Sequence, residues 1–266
     1  MRSFWEKRLR QHFDLTGAGH AGLGPRYNAQ LYKARLQALE RGLINNGRTL
    51  KGARVLEVGC GTGFYTEYCL RQEVRTYVGV DITSISVETL GKQYPNFRFI
   101  QADITEEIAE TVGGDYDVVL AADVLFHIVN DNAFERAIQN LCFALSSDGL
   151  LIIADVFPAC TTQVAPHVRL RSLDEFTCLL NENHTRIVHI EPIFAILQPP
   201  PFIPCTSWSW KGYASLWRAV QRLQLTRLRV VDRLLPPTLG WLDKWLFCPL
   251  LGHQAPNNKW LLAIKS

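Results

Sequence analysis

The chain has 266 residues, 47% apolar and 20% charged, an ordinary globular make-up that excludes disordered, fibrous and repeat classes. Its net charge of +3 hides a division: residues 1–50 carry nine basic against three acidic side chains, residues 51–194 ten against twenty, and residues 195–266 nine against two. Basic ends around an acidic middle suit an anionic substrate, a nucleic acid or a membrane surface, or equally the packing of the ends on the middle.

The opening residues, MRSFWEKRLRQHF, are charged and aromatic and lack the apolar stretch of a secretory signal. No apolar run approaches the roughly 18 residues that a membrane-spanning helix needs. Seven scattered cysteines, without a C-x-x-C pair, argue against a disulfide framework and against a zinc site. No metal is expected, and a reducing cytoplasm is the expected location. Residues 1–50 also hold a glycine-rich turn, GAGHAGLG, which no Gly-Lys-Ser/Thr follows, and then a helical pattern near residues 28–41.

From Arg54 onward, short apolar runs alternate with helical patterns, as in a parallel α/β sheet. The predicted strands are Arg54–Val58, Thr76–Val80, Phe97–Gln101, Asp117–Ala121, Leu150–Asp155, Thr185–Leu197 and Lys259–Lys265. Helical spacing falls near residues 64–72, 83–93, 131–145 and 172–183, the last with a serine cap. Residues 198–256 interrupt the rhythm. They hold five of the seven tryptophans and two helical patterns, near 208–235 and 239–247, which Pro236-Pro237 is expected to break.

The chemistry lies in the loops after the strands. Val55-Leu56-Glu57-Val58-Gly59-Cys60-Gly61-Thr62-Gly63 closes the first strand and opens a helix, with glycines that let backbone approach a ligand. The spacing is G-x-G-x-G, not the dinucleotide G-x-G-x-x-G. Glu57 would repel a pyrophosphate and suits a ligand carrying an ammonium and a sulfonium. Asp81 ends the second strand, where a carboxylate can accept from ribose hydroxyls, a feature shared with nicotinamide enzymes. Asp103 follows the third strand and can accept from an adenine amino group. Alone, each acid reads equally as a strand cap or a loop residue.

In order, the segments VLEVGCGTG, GVD, QADI, DYDVVLAADVLFHI and LSSDGLLIIAD resemble the successive motifs of class I S-adenosylmethionine-dependent methyltransferases. The resemblance covers about residues 51–190 and continues into the final strand. It implies a Rossmann-like α/β sandwich whose seven-stranded, mostly parallel sheet ends in an antiparallel strand. It implies S-adenosylmethionine as donor and S-adenosylhomocysteine as product. Glu57, Gly59, Cys60, Gly61 and Gly63 would hold the methionine portion, Asp81 and Ile82 the ribose, and Asp103 and Ile104 the adenine. Ala122 and Asp123 would border the sulfonium. Tyr27 and Arg35 lie in an amino-terminal segment of the kind that closes the donor site, with Arg35 expected near the methionine carboxylate.

On the acceptor side, His127 is the candidate base or a structural histidine, and Asp155 is a second catalytic candidate. His167, Arg169, Trp208 and Trp210 are candidate acceptor contacts. Strand four lacks the Asp/Asn-Pro-Pro-Tyr/Phe box, and Phe157-Pro158-Ala159-Cys160 is not a Pro-Cys nucleophile motif, so a nucleic-acid acceptor is not expected. The expected organisation is a helical lid (1–50), a donor-binding core (51–197), a helical cap (198–256) and a final core strand (257–266). The expected activity is methyl transfer to oxygen or nitrogen of a small molecule, in specialised metabolism. A nucleic-acid, protein or lipid acceptor and a non-catalytic binding protein are the alternatives. A membrane surface stays open as a partner, and the sequence does not fix the oligomeric state.

Overall fold

A computed structural model describes residues 1–20, 22–201, 208–223 and 228–266. Its centre is a seven-stranded sheet of β1 (Arg54–Val58), β2 (Thr76–Asp81), β3 (Arg98–Gln101), β4 (Tyr116–Ala122), β5 (Leu145–Asp155), β8 (Thr185–Pro192) and β9 (Lys259–Lys265). The order is β3-β2-β1-β4-β5-β9-β8. β1 to β5 pair in parallel, and β9 runs antiparallel to both β5 and β8. This is the expected Rossmann-like sheet with an antiparallel last strand. The order reverses between β1 and β4, so a crevice opens at their carboxyl ends, where open α/β sheets bind ligands.

Both faces of the sheet are covered. One packs Leu56, Val58 and Val119 against α7 (Asp131–Ala144) and α8 (Leu173–Glu182) through Phe134, Ile138, Leu141, Phe176 and Leu180. The other packs Val55, Leu120 and Ile152 against α3 (Pro25–Asn45) and α4 (Phe64–Arg71). Helix starts follow local chemistry. The Asn130 side chain accepts from the Ala133 amide at 2.9 Å, and the expected serine cap, Ser172, accepts from the Glu175 amide at 3.2 Å. Pro25 opens α3 in its first turn, where a missing amide hydrogen costs nothing.

Several expectations change. α1 (Arg2–Gln11) precedes the short α2 (Leu15–Ala18), and β6 (Thr162–Ala165) pairs with β7 (Val168–Leu170) in a hairpin after β5. The strand expected over Thr185–Leu197 stops at Pro192 because its β9 partner begins there, at Lys259. Beyond it, the buried carboxylate of Asp243 accepts the amides of Ile196 and Leu197, at 2.9 and 2.7 Å, in place of a ladder. Cys160 is disulfide-bonded, contrary to the reading of the cysteines as reduced.

The insertion holds α9 (Trp208–Arg222), α10 (Arg229–Leu242), a π-helical turn at Asp243–Phe247 and α11 (Cys248–Leu251). Pro236 and Pro237 lie inside α10 and do not break it. They remove the amide donors that would meet the carbonyls of Asp232 and Arg233. α10 packs against α3, and Leu235, Pro236 and Leu239 face inward. α9 ends at Arg222 and α10 begins at Arg229. Trp217 is buried against Tyr27, ring centres 5.9 Å apart, so α9 packs on the outer side of α3.

Candidate functional site

A cavity of about 410 Å³ opens at the carboxyl ends of β1, β2 and β4, within the size range of small-ligand sites. Its floor is the glycine turn. Gly59 has φ of +76°, and a Cβ there would come within 2.2 Å of Val124 Cγ2. Gly61 has φ of +51°, and its would-be Cβ meets nothing nearer than 3.8 Å. That open space is a cradle which a side chain would fill, so glycine is required by both conformation and ligand access. Gly63, at φ of +83°, starts α4 and leaves no room for a Cβ beside Leu90.

The acids behind this turn are held in place. Asp81 Oδ2 accepts the Gly61 amide at 2.9 Å, and Oδ1 accepts the Thr83 amide and hydroxyl at 2.9 and 2.7 Å. Burial raises its pKa, and these three donors oppose the rise. Glu57 Oε2 accepts from the Tyr77 hydroxyl at 2.5 Å, with Thr66 Oγ1 at 3.5 Å. Burial pushes Glu57 up to about 8, so without a cationic neighbour it is mostly protonated at neutral pH. Asp103 Oδ1 accepts the Thr105 amide and hydroxyl, at 3.0 and 2.8 Å. Glu57, Gly59, Cys60, Gly61, Asp81, Ile82, Asp103, Ile104, Ala122 and Asp123 all line the one cavity. Gly63 lies one step behind its wall.

Asp123 has φ of +58°, a left-handed conformation that aspartate tolerates better than most side chains. Its carboxylate takes an ion pair from Arg35 Nη1 at 2.5 Å and a hydrogen bond from Asn258 Nδ2 at 2.7 Å. Burial raises the Asp123 pKa and Arg35 opposes it. Arg35 is itself buried behind the wall, its guanidinium 5.1 Å from the Phe194 ring centre. Arg35 therefore reaches the site through Asp123. Tyr27 is further off, fully buried, its hydroxyl donating to the Leu197 carbonyl at 2.6 Å.

The opposite wall comes from the amino-terminal helices and the loop after β4. Met1, Trp5 and Leu9 recur every fourth residue, so they share one face of α1, and that face closes the cavity together with Ala18 and Tyr32. Trp5 meets the His127 ring edge to face at 5.0 Å. His127 Nδ1 lies 3.0 Å from the His167 carbonyl oxygen. A carbonyl can only accept, so Nδ1 carries the proton and Nε2 keeps its lone pair. Burial lowers the His127 pKa to about 4, which keeps the ring neutral near pH 7. A lid over residues 1–50 was expected with Tyr27 and Arg35 as its contacts; Met1, Trp5 and Leu9 line the cavity instead, and their four-residue spacing was a readable signal.

Of the other candidates, Asp155, His167, Arg169 and Trp210 do not line the cavity. Asp155 is buried opposite Lys259 in the β5–β9 register, its Oδ1 taking the Val156 amide at 2.7 Å. Burial raises the Asp155 pKa and lowers that of Lys259, whose ammonium donates to the carbonyls of Val156, Ala255 and Asn257. Neither side chain lines the cavity. His167 stands behind His127, rings 6.0 Å apart, and Arg169 pairs with Asp131 at 3.1 Å. Trp210 meets Tyr213 at 5.9 Å, in a cluster with Ile196 and Cys248. The Trp208 side chain lies outside the described residues. Among the described residues, none of the 198–256 insertion lines the cavity.

Residues 55–149 match a protein family described as "Methyltransferase domain". A ubiquinone biosynthesis O-methyltransferase of Neisseria meningitidis is 30% identical over 117 residues, covering 42% of this chain and 48% of that protein. A malonyl-[acyl-carrier protein] O-methyltransferase of Halalkalibacterium halodurans is 32% identical over 109 residues, 39% of each chain. The chain thus spans about half the length, or less, of these curated relatives. The crystal structure of magnesium protoporphyrin IX methyltransferase from Synechocystis, solved with bound S-adenosylmethionine, superposes with a TM-score of 0.55. It is 14% identical, with 100% of this chain and 95% of that one covered, so the likeness is one of fold. The sheet order, the glycine turn and the family match fall on the same residues, so residues 55–149 match a methyltransferase domain set in a sheet with the fold of S-adenosylmethionine-dependent methyltransferases.

Proposed function

We propose that the protein transfers a methyl group from S-adenosylmethionine to an oxygen or nitrogen of a small-molecule acceptor. The single observation that carries this reading is the two-sided cavity. Its glycine and acid half is open at Gly61 and flanked by Asp81 and Asp103, and its other half is aromatic and apolar.

The donor fits the residues present. Asp81 presents a carboxylate at the end of β2 toward ribose hydroxyls, and Asp103 with Ile104 borders the adenine place. Glu57, protonated when alone, ionises beside an ammonium group. Bound there, the donor supplies an activated methyl on a sulfonium, so little further chemistry is asked of the protein. The chain's task is to align the acceptor and exclude water. α1 does the second with Met1, Trp5 and Leu9. His127, neutral and with Nε2 unprotonated, can take a proton from a hydroxyl or ammonium acceptor as it attacks.

Among the described residues, no lysine or arginine side chain lines the cavity, which favours a largely apolar, compact acceptor over a phosphate-rich one. The two O-methyltransferase relatives support oxygen as the atom modified. The test is transfer of labelled methyl from the donor to a panel of phenols, carboxylates and amines, read by mass. Product with a phenol or other small apolar acceptor supports the reading. Turnover only with RNA, DNA or protein contradicts it.

A further inference from the structure

The insertion between β8 and β9 leaves one apolar face to solvent. Along α10 and the turn that follows, Leu235, Leu239 and Leu242 point into the protein. On the other side Val230, Leu234, Trp241 and Trp245 are 69%, 58%, 60% and 64% exposed. Their spacings of four, seven and four residues place them on one stripe of the helix. Leu246 and Leu250, 49% and 75% exposed, extend the apolar surface past the turn. A helix with apolar residues on two opposite sides is expected to be covered on both, and monomers seldom expose a continuous patch of this kind without a use for it.

The neighbouring charges identify what covers it. Arg229, Arg233 and Lys244 are exposed, and at helical spacing Arg233 and Lys244 fall along one edge of the stripe. The Lys244 ammonium lies 5.0 Å from the Trp245 ring centre. Residues 208–256 hold seven basic and two acidic side chains, and both acids turn inward. Asp243 is 2% exposed and accepts the amides of Ile196 and Leu197, and Asp232 Oδ1 is buried. The exposed face is therefore apolar with a cationic border, and neither acid of residues 208–256 lies on it. A second copy meeting it through a two-fold axis would bring like charges together. An anionic bilayer satisfies both features, taking tryptophan at the headgroup level and lysine or arginine against phosphate.

We propose that α10 and the turn after it form an interfacial helix that lies on the surface of an anionic lipid bilayer. No helix among the described residues is long and apolar enough to cross a membrane, so the helix lies in the surface plane. The proposal does not depend on which acceptor is methylated, or on whether transfer occurs at all.

The experiment is co-sedimentation of the full chain with vesicles of phosphatidylcholine alone or mixed with phosphatidylglycerol. It uses the wild type, Trp241→Ser/Trp245→Ser and Arg233→Ser/Lys244→Ser, each checked for folding by circular dichroism. The wild type should pellet with the mixed vesicles and much less with phosphatidylcholine. The tryptophan pair should lose about ten-fold or more in partitioning, and the cation pair about five-fold per charge, only on the anionic vesicles. A wild type that stays in solution with both vesicles overturns the proposal, as do variants that pellet like the wild type. A dimer in sedimentation equilibrium that dissociates in the tryptophan variant, without vesicle binding, also overturns it and assigns the face to a second copy.

Discussion

The Glu6 carboxylate receives both the backbone amide and the hydroxyl of Ser84, at 2.8 and 3.0 Å, joining residues 78 positions apart. Ser84 opens α5 (Ser84–Gln93), so an acid on the amino-terminal helix caps the positive end of a core helix. Arg8 adds a second tie, donating to the Gly19 carbonyl at 2.7 Å. The face of α1 that carries Trp5 is thereby fixed over the cavity just beyond the Asp81–Thr83 loop.

Replacing Glu6 with Gln should loosen this lid without unfolding the sheet. A cap of this kind contributes about 0.5–2 kcal/mol, so donor affinity should fall a few-fold while the melting temperature shifts by only a few degrees. Burial raises the Glu6 pKa, but the Ser84 hydrogen bonds and Arg10 lower it further, for a net downward shift. The contribution is then present above the ordinary carboxylate range and is lost as pH falls through the lowered value. Calorimetric titration and limited proteolysis near residue 12 measure both effects.

Glu57 should make donor binding release a proton. Its carboxyl, pushed up to about 8 by burial, is mostly protonated in the free protein at pH 7, and a bound ammonium favours the charged form. Binding enthalpies measured in buffers of different ionisation heat should differ by up to about one proton's worth. The same raised pKa means that between the ordinary carboxylate pKa and about 8 the folded state holds the extra proton, so Glu57 makes stability fall as pH rises across that window. Glu57→Gln should flatten that slope and remove the buffer dependence.

For His127 the low pKa of about 4 fixes the expected pH profile. The acidic limb of kcat/KM should lie near pH 4, well below the usual histidine range, because the folded protein resists protonating the ring. In the same window, from ordinary histidine values down to about 4, the unfolded chain takes up a proton that the folded chain does not, and stability falls with pH. His127→Gln should lower kcat by about 10²–10⁴ if the ring is the base, with donor affinity nearly unchanged. An unchanged kcat assigns the ring to the cavity wall.

The sheet and the glycine-and-acid half of the cavity were legible because their signals are local. Glycines at 59, 61 and 63 and acids at 81 and 103 each follow a strand, and strand ends are where an open sheet collects its loops. What was not legible depends on partners far along the chain. Arg35 looked available for a ligand carboxylate, but 88 residues later Asp123 meets it first. Asp155 looked like a strand-end acid near the acceptor, but Lys259 on β9 stands opposite it. The tryptophans of the insertion looked like pocket walls. Trp217 is instead packed against Tyr27 of α3, Trp210 against Tyr213 in the cluster with Ile196 and Cys248, and Trp241 and Trp245 face outward. Prolines 236 and 237 looked like a helix break, but packing against α3 outweighs their cost.

The measurement that bears most directly on the account is titration of the wild type and Asp81→Ala with S-adenosylhomocysteine, with NAD as the control ligand. Asp81 is chosen because its carboxylate both shapes the Gly61 turn and lines the cavity. The account predicts micromolar binding by the wild type, weakened by about 1–3 kcal/mol in the variant, and no comparable binding of NAD. Equal affinity in the two proteins, or tighter binding of NAD, would contradict it.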